Sequence, residues 1–155
     1  MITFQNIEDN HNTKKTINTL FGVELQLNGG WGYAIVDATT IEDIQEGIPI
    51  YQLEHMIVSM RSHLEMNITQ EKDNRYAGIN ANELSRENIK KNEFTYDKVT
   101  YEITAMKEDI YNKFIQEYKE GYGKENFDIT EHFKKRKEAT LIREVVHYFE
   151  ISKII

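Results

Sequence analysis

Two hydrophobic periods alternate along this chain, and that alternation constrains its fold more than any other feature. Val23, Leu25 and Leu27 are spaced by polar residues at the two-residue period of a half-buried strand. Val99, Tyr101 and Ile103 do the same against Thr100, Glu102 and Thr104. Between these runs Ile50, Leu53, Ile57, Met60 and Leu64 recur at intervals of three, four, three and four, which is one face of a helix. Elements of both kinds have one apolar side to bury, so the expected arrangement is helices lying on a sheet.

Asn28-Gly29-Gly30 follows the first alternating run and Tyr33-Ala34-Ile35-Val36 is a second β-rich run. Asn and Gly tolerate the positive φ of tight turns, so the sequence predicts a hairpin over about 23–36, with Trp31 in its turn and Gly32 at a bulge. Ile2-Thr3-Phe4 and residues 15–21 predict a further strand and a short helix. Pro49 stands where the amphipathic helix begins, and its apolar stripe runs to about Asn67. From Thr69 to Asn92 polar residues dominate, and the expectation there is a long loop with one helical turn.

A strand over about 98–104 joins the hairpin's sheet, and Met106, Ile110, Phe114 and Tyr118 predict a second helix that stops near Gly121. Asp128-Ile129-Thr130-Glu131 resembles a capping box opening a helix from about 129 to 142. Val145, His147, Phe149 and Ile151 alternate as in a strand, whereas Ile142, Val146 and Phe149 would continue a helix. Both readings stand for residues 143–155. No linker, repeat or low-complexity tract divides the chain, so it reads as one α+β domain over 1–155. Its expected core is a small antiparallel sheet, the hairpin about 23–36 plus the strand about 98–104, packed against two or three amphipathic helices.

At 155 residues the chain buries enough surface, roughly 68–70%, to need no disulfide or structural metal. It has no cysteine, which excludes thiolate nucleophiles, iron–sulfur clusters and cysteine-based zinc sites. Twenty-six acidic against 19 basic residues give a net charge of −7, the wrong sign for direct binding to nucleic acid. The opening residues have neither a basic segment nor an apolar run, and no apolar stretch is long enough to span a membrane, so a cytoplasmic protein is expected.

Motifs that carry chemistry are sparse. His55 and His63 stand eight residues apart, about 80° around a helix, which does not pair them as metal ligands. Glu144-Val145-Val146-His147 has the Glu-x-x-His spacing of di-iron bundles, but such a site needs two of these motifs and two further glutamates. Gly29-Gly30-Trp31-Gly32 is followed by neither Lys-Ser/Thr nor a third glycine of a dinucleotide fingerprint. No Gly-x-Ser-x-Gly turn surrounds any serine. Lys134-Lys135-Arg136-Lys137 points in four directions around a helix and reads as a solvated face. No metal, cofactor or catalytic residue is nominated.

Acidic clusters remain. Glu42, Asp43 and Glu46 precede the first long helix, and Glu108 and Asp109 open the second, where the helix dipole also favours them. With Trp31 as an aromatic anchor, these five carboxylates form the candidate partner-binding set. The profile is that of a small cytoplasmic binding protein, an immunity or inhibitor protein that neutralises a basic toxin such as a nuclease. The alternatives are a small hydrolase using carboxylates with His132 or His147, and a structural or adaptor subunit.

Overall fold

A computed structural model describes residues 4–68 and 70–155. In chain order the elements are helix α1 (Thr13–Phe21), strand β1 (Leu27–Gly29), strand β2 (Thr39–Ile41), helix α2 (Ile50–His63), strand β3 (Tyr76–Lys91), strand β4 (Phe94–Lys107), helix α3 (Glu108–Gly121), helix α4 (Ile129–Ala139) and strand β5 (Leu141–Glu150). The strands form one sheet in the order β1-β2-β5-β4-β3. The α+β class therefore stands, with helices packed on a small sheet. The sheet is mixed, not wholly antiparallel, because β2 runs parallel to β5 through Thr39↔Phe149 and Thr40↔Glu150.

The amphipathic stripe of α2 lies on one face of this sheet. Leu53, Ile57, Val58 and Leu64 are buried against Val99, Tyr101 and Ile103 of β4 and Val145 and Phe149 of β5. The helix ends at His63 and a wider π turn, Leu64–Ile68, carries the stripe to Met66. Residues on β4 and β5 with the opposite parity, such as Thr100, Glu102, Glu144 and Val146, stay half-exposed or exposed.

Two further expectations are corrected. The pairing expected within 23–36 is displaced: Leu27–Gly29 pairs with Thr39–Ile41, while Ile35–Asp37 in the intervening loop forms a 3₁₀ turn. The Asp37 carboxylate accepts the Ala34 N–H at 2.6 Å, which closes that turn and keeps Tyr33–Val36 out of the sheet. The polar run expected as a loop holds β3, 16 residues long and paired with β4 to the tip of a hairpin. Asn92 and Glu93 make that tip with φ of 51° and 71°, the positive values of a type I′ turn. β3 lacks a clear two-residue apolar period because it is an edge strand whose inner face, after Ile79 and Ala81, carries Glu83, Arg86 and Asn88.

The alternation at Val145, His147 and Phe149 is a strand, which resolves the two readings of the C-terminal segment up to Glu150. Asp128 caps α4 as expected, its Oδ1 accepting the Glu131 N–H at 3.0 Å. Residues 2–3 of the strand expected at Ile2-Thr3-Phe4 lie outside the described residues.

Ile57 is wholly buried where α2 meets the sheet. Replacing it by Ala is expected to cost about 2–5 kcal/mol in chemical denaturation, by transfer and cavity terms together. A loss below about 0.5 kcal/mol would mean that α2 does not dock as described.

Candidate functional site

Two polar clusters sit between α2 and the sheet. In the first, Arg61 Nε and Glu65 Oε2 are 3.0 Å apart, one helical turn along the chain, and both side chains are buried. The Tyr33 hydroxyl donates to the same Glu65 oxygen, and Arg143 Nη1 lies 3.0 Å from Glu65 Oε1. Arg61 Nη1 donates to the Val146 carbonyl at 2.8 Å and approaches His147 Nδ1 at 3.3 Å. His147 Nε2 is 2.8 Å from Thr39 Oγ1, which is 2.6 Å from the Gly30 carbonyl.

Counting protons fixes the tautomer of His147. The Gly30 carbonyl can only accept, so the single Thr39 hydroxyl proton goes there and Thr39 accepts from His147 Nε2–H. Nδ1 is then an acceptor facing Arg61. Burial, with Arg61 beside it, holds His147 well below the usual histidine range, in agreement with a neutral ring. The ring is stacked on Phe149 at 4.1 Å, and Gly32 presses on its other edge. A Cβ at Gly32, where φ is +72°, would come within 2.2 Å of His147 Cδ2. His147 is thus a satisfied structural histidine. The Glu-x-x-His pairing also dissolves, because residues three apart on a strand face opposite sides: His147 points to the core and Glu144 to solvent.

The second cluster centres on Glu54, fully buried on α2. Arg86 of β3 reaches Glu54 at 2.9 Å, Glu83 at 2.6 Å and Asp97 at 3.6 Å. Burial and the neighbouring Asp97 push Glu54 up to about 8 against the pull of Arg86. Glu54 is therefore mostly protonated at neutral pH. Burial, then Glu83 and Glu54, raise the Tyr101 phenol above its ordinary value. A protonated carboxyl beside a second acid and an arginine is the outline of an acid/base site. Here it is packed beneath α2, with Arg86 and Glu83 as its solvent-facing members.

His132, His55 and His63 lie apart from the network around His147. His132 Nδ1 is 3.0 Å from Glu117 Oε1, and its ring is enclosed by Phe114, Tyr118, Phe127 and Phe133 where α3 meets α4. His55 is edge-on to Tyr101 at 5.7 Å, and burial lowers His63 below the usual range. Among the described residues no group of three or more histidines and carboxylates is arranged to hold a metal ion.

The acidic residues singled out by sequence do not share a surface. Glu42 follows β2 and is paired with Lys153, with Asp43 and Glu46 exposed beyond it. Glu108 and Asp109 are exposed at the start of α3, at the other end of the sheet. The ten residues of β5 separate the two sets by about 30 Å. Trp31 is 2% exposed and donates from Nε1 to Asp9 Oδ2 at 2.8 Å, so it serves the core and presents no ring to a partner.

Sequence reasoning missed the outer face of the sheet. There Glu102 stands directly opposite Glu144, and Asn82 opposite Glu102 on the other side. Thr100 and Thr104 of β4 and Ile142 and Val146 of β5 flank the pair, with Tyr148 and Tyr96 farther along the same face, all half-exposed or exposed. Glu87 adds a third carboxylate opposite Lys98, whose ammonium is 5.9 Å from the Tyr148 ring. The alternation around Glu102 was visible in sequence, but its juxtaposition with Glu144 depends on the β4–β5 register.

No family model matches the chain, and no curated protein or solved structure does. Among the described residues no helix is long and apolar enough to cross a membrane.

Two measurements test these clusters. Arg61→Met leaves Glu65 buried with its charge less compensated and is expected to cost about 3–5 kcal/mol in denaturation. For Glu54 the folded value lies above the unfolded one, so the folded state holds more protons between about pH 4.5 and 8. The stability due to Glu54 is complete below that window and is lost as pH rises through it. Glu54→Gln should flatten this part of the stability–pH curve. An unchanged slope would show that Glu54 titrates normally.

Proposed function

We propose that the chain is a binding protein that engages a basic protein partner through the outer face of its sheet. The observation that carries this reading is the Glu102↔Glu144 pair. Like charges directly opposite on neighbouring strands are destabilising, by the order of a few tenths of a kcal/mol to 1 kcal/mol. A lysine or arginine from a partner would relieve that repulsion, and Ile142 and Val146 beside the pair, with Tyr148 and Tyr96 farther along the face, would supply area to bury. The net charge of −7 favours encounter with a basic surface by long-range steering.

Within that role, inhibition of a basic toxin fits best. A nuclease groove built to hold phosphates would accept the paired carboxylates, and the inhibitor would act in the cytoplasm of the cell it protects. Glu42, Asp43 and Glu46, or Glu108 and Asp109, would then steer at a distance while the outer face makes contact.

The test combines capture with mapping. The tagged chain is used to pull down partners from its source cells at low and moderate salt, with cross-linking and mass spectrometry. The expected result is a basic protein cross-linked near residues 96–104 and 142–148, released by salt and inhibited in its nuclease activity by added purified chain. Glu102→Lys with Glu144→Lys should abolish capture. Cross-links elsewhere, or capture that survives the double charge reversal, would overturn the reading. In the isolated chain Glu102→Lys alone should raise stability by about 0.2–1 kcal/mol, because it converts the opposed pair into an attractive one.

A further inference from the structure

A second feature lies at the other end of the same sheet, where the last turn of α4 approaches the start of the β3–β4 hairpin. The register of that hairpin shifts between Ala77 and Asn80. Gly78 there takes φ +62°, and the Tyr111 ring of α3 packs so closely that a Cβ at Gly78 would lie 3.0 Å from it. Beside the irregularity is a cavity of about 240 Å³ whose lining includes Asn80, Thr104, Tyr111, Arg136, Lys137 and Thr140. No carboxylate lines it.

We propose that this cavity binds a small phosphate monoester. Arg136 and Lys137 belong to the basic run of α4, and neither forms an ion pair among the described residues. The Arg136 guanidinium lies over the Phe133 ring, 5.6 Å from its centroid, and so keeps donors free for a ligand. Thr140 spends its hydroxyl proton on the Arg136 carbonyl at 2.7 Å. Asn80 Nδ2 gives one N–H to the Gly78 carbonyl at 3.1 Å, so the remaining donors are its second N–H, the Thr104 and Tyr111 hydroxyls and the two cations.

Charge and size choose the ligand. Two uncompensated cations match a phosphate monoester, which carries about −1.5 to −2 at pH 7, whereas a carboxylate would neutralise one of them. The volume falls below the roughly 300 Å³ at which pockets for drug-sized ligands begin, so it admits a phosphate with a few carbon atoms and not a nucleotide. Basic residues in a last helical turn are also favoured by the dipole. Their convergence with hydroxyl and amide donors across the sheet is what the dipole does not account for.

The test is an amide NMR titration of the full chain with glycerol phosphate, beside sodium acetate and sodium chloride at matched ionic strength. Saturable shifts confined to the neighbourhood of Gly78, Asn80, Thr104 and Thr140 are expected with glycerol phosphate. Arg136→Gln with Lys137→Gln should weaken binding at least tenfold, and Lys134→Gln with Lys135→Gln should leave it intact. Lys137→Gln alone, at an exposed position, gives the same direction of change should the double variant lose its fold. Equal shifts with acetate or chloride, or equal binding by the two double variants, would overturn the site.

Discussion

Everything between α2 and the sheet depends on how two carboxylates are kept out of water. Glu54 and Glu65 lie on or just beyond the helix face that carries the core stripe, and both are buried. A lone ionised carboxylate in such a place would cost several kcal/mol, more than any single apolar contact returns. The chain meets the cost in two ways. Glu65 is ionically held, with Arg61 along the helix, Arg143 across on β5 and the Tyr33 hydroxyl from the loop before β2. Glu54 keeps a proton, with Arg86 on one of its oxygens and the Asp97 carboxylate nearby.

These solutions also fix geometry that apolar packing leaves open. Arg61 joins α2 to the Val146 backbone and to His147, which in turn holds Thr39 and, through it, Gly30. One continuous proton arrangement thus ties helix, central strand and the short β1–β2 pair in a single register. Arg86 does the same for β3, an edge strand with few apolar side chains on its inner face. Directional bonds of this kind penalise a slip of two residues, which keeps the apolar side chains facing inward and which hydrophobic burial alone tolerates better.

The same economy explains which surfaces remain for function. Side chains on the inner face of the sheet are committed to α2. The outer face keeps an opposed pair of glutamates flanked by Ile142 and Val146, and the α4 end keeps two cations that form no ion pair among the described residues. These two features carry the two proposals, a basic partner at the outer face and a small anion in the cavity.

The sequence by itself determined the elements whose apolar period is strong. Helix α2, the alternation of β4, the capped start of α4 and the mixed class of the fold all follow from residue spacing, because an apolar stripe has one place to go. Tertiary structure decided the rest, since its signals are pairwise between distant residues. β3 is legible only once Arg86 has found Glu54 and Asp97, and the β1–β2 pair only once Asp37 has turned the chain. Trp31 and His147, both suggestive as isolated letters, became core residues when Asp9 and Thr39 supplied their hydrogen bonds. Glu102 and Glu144 are 42 positions apart and meet because antiparallel register places them opposite each other, a relation that local periodicity does not contain.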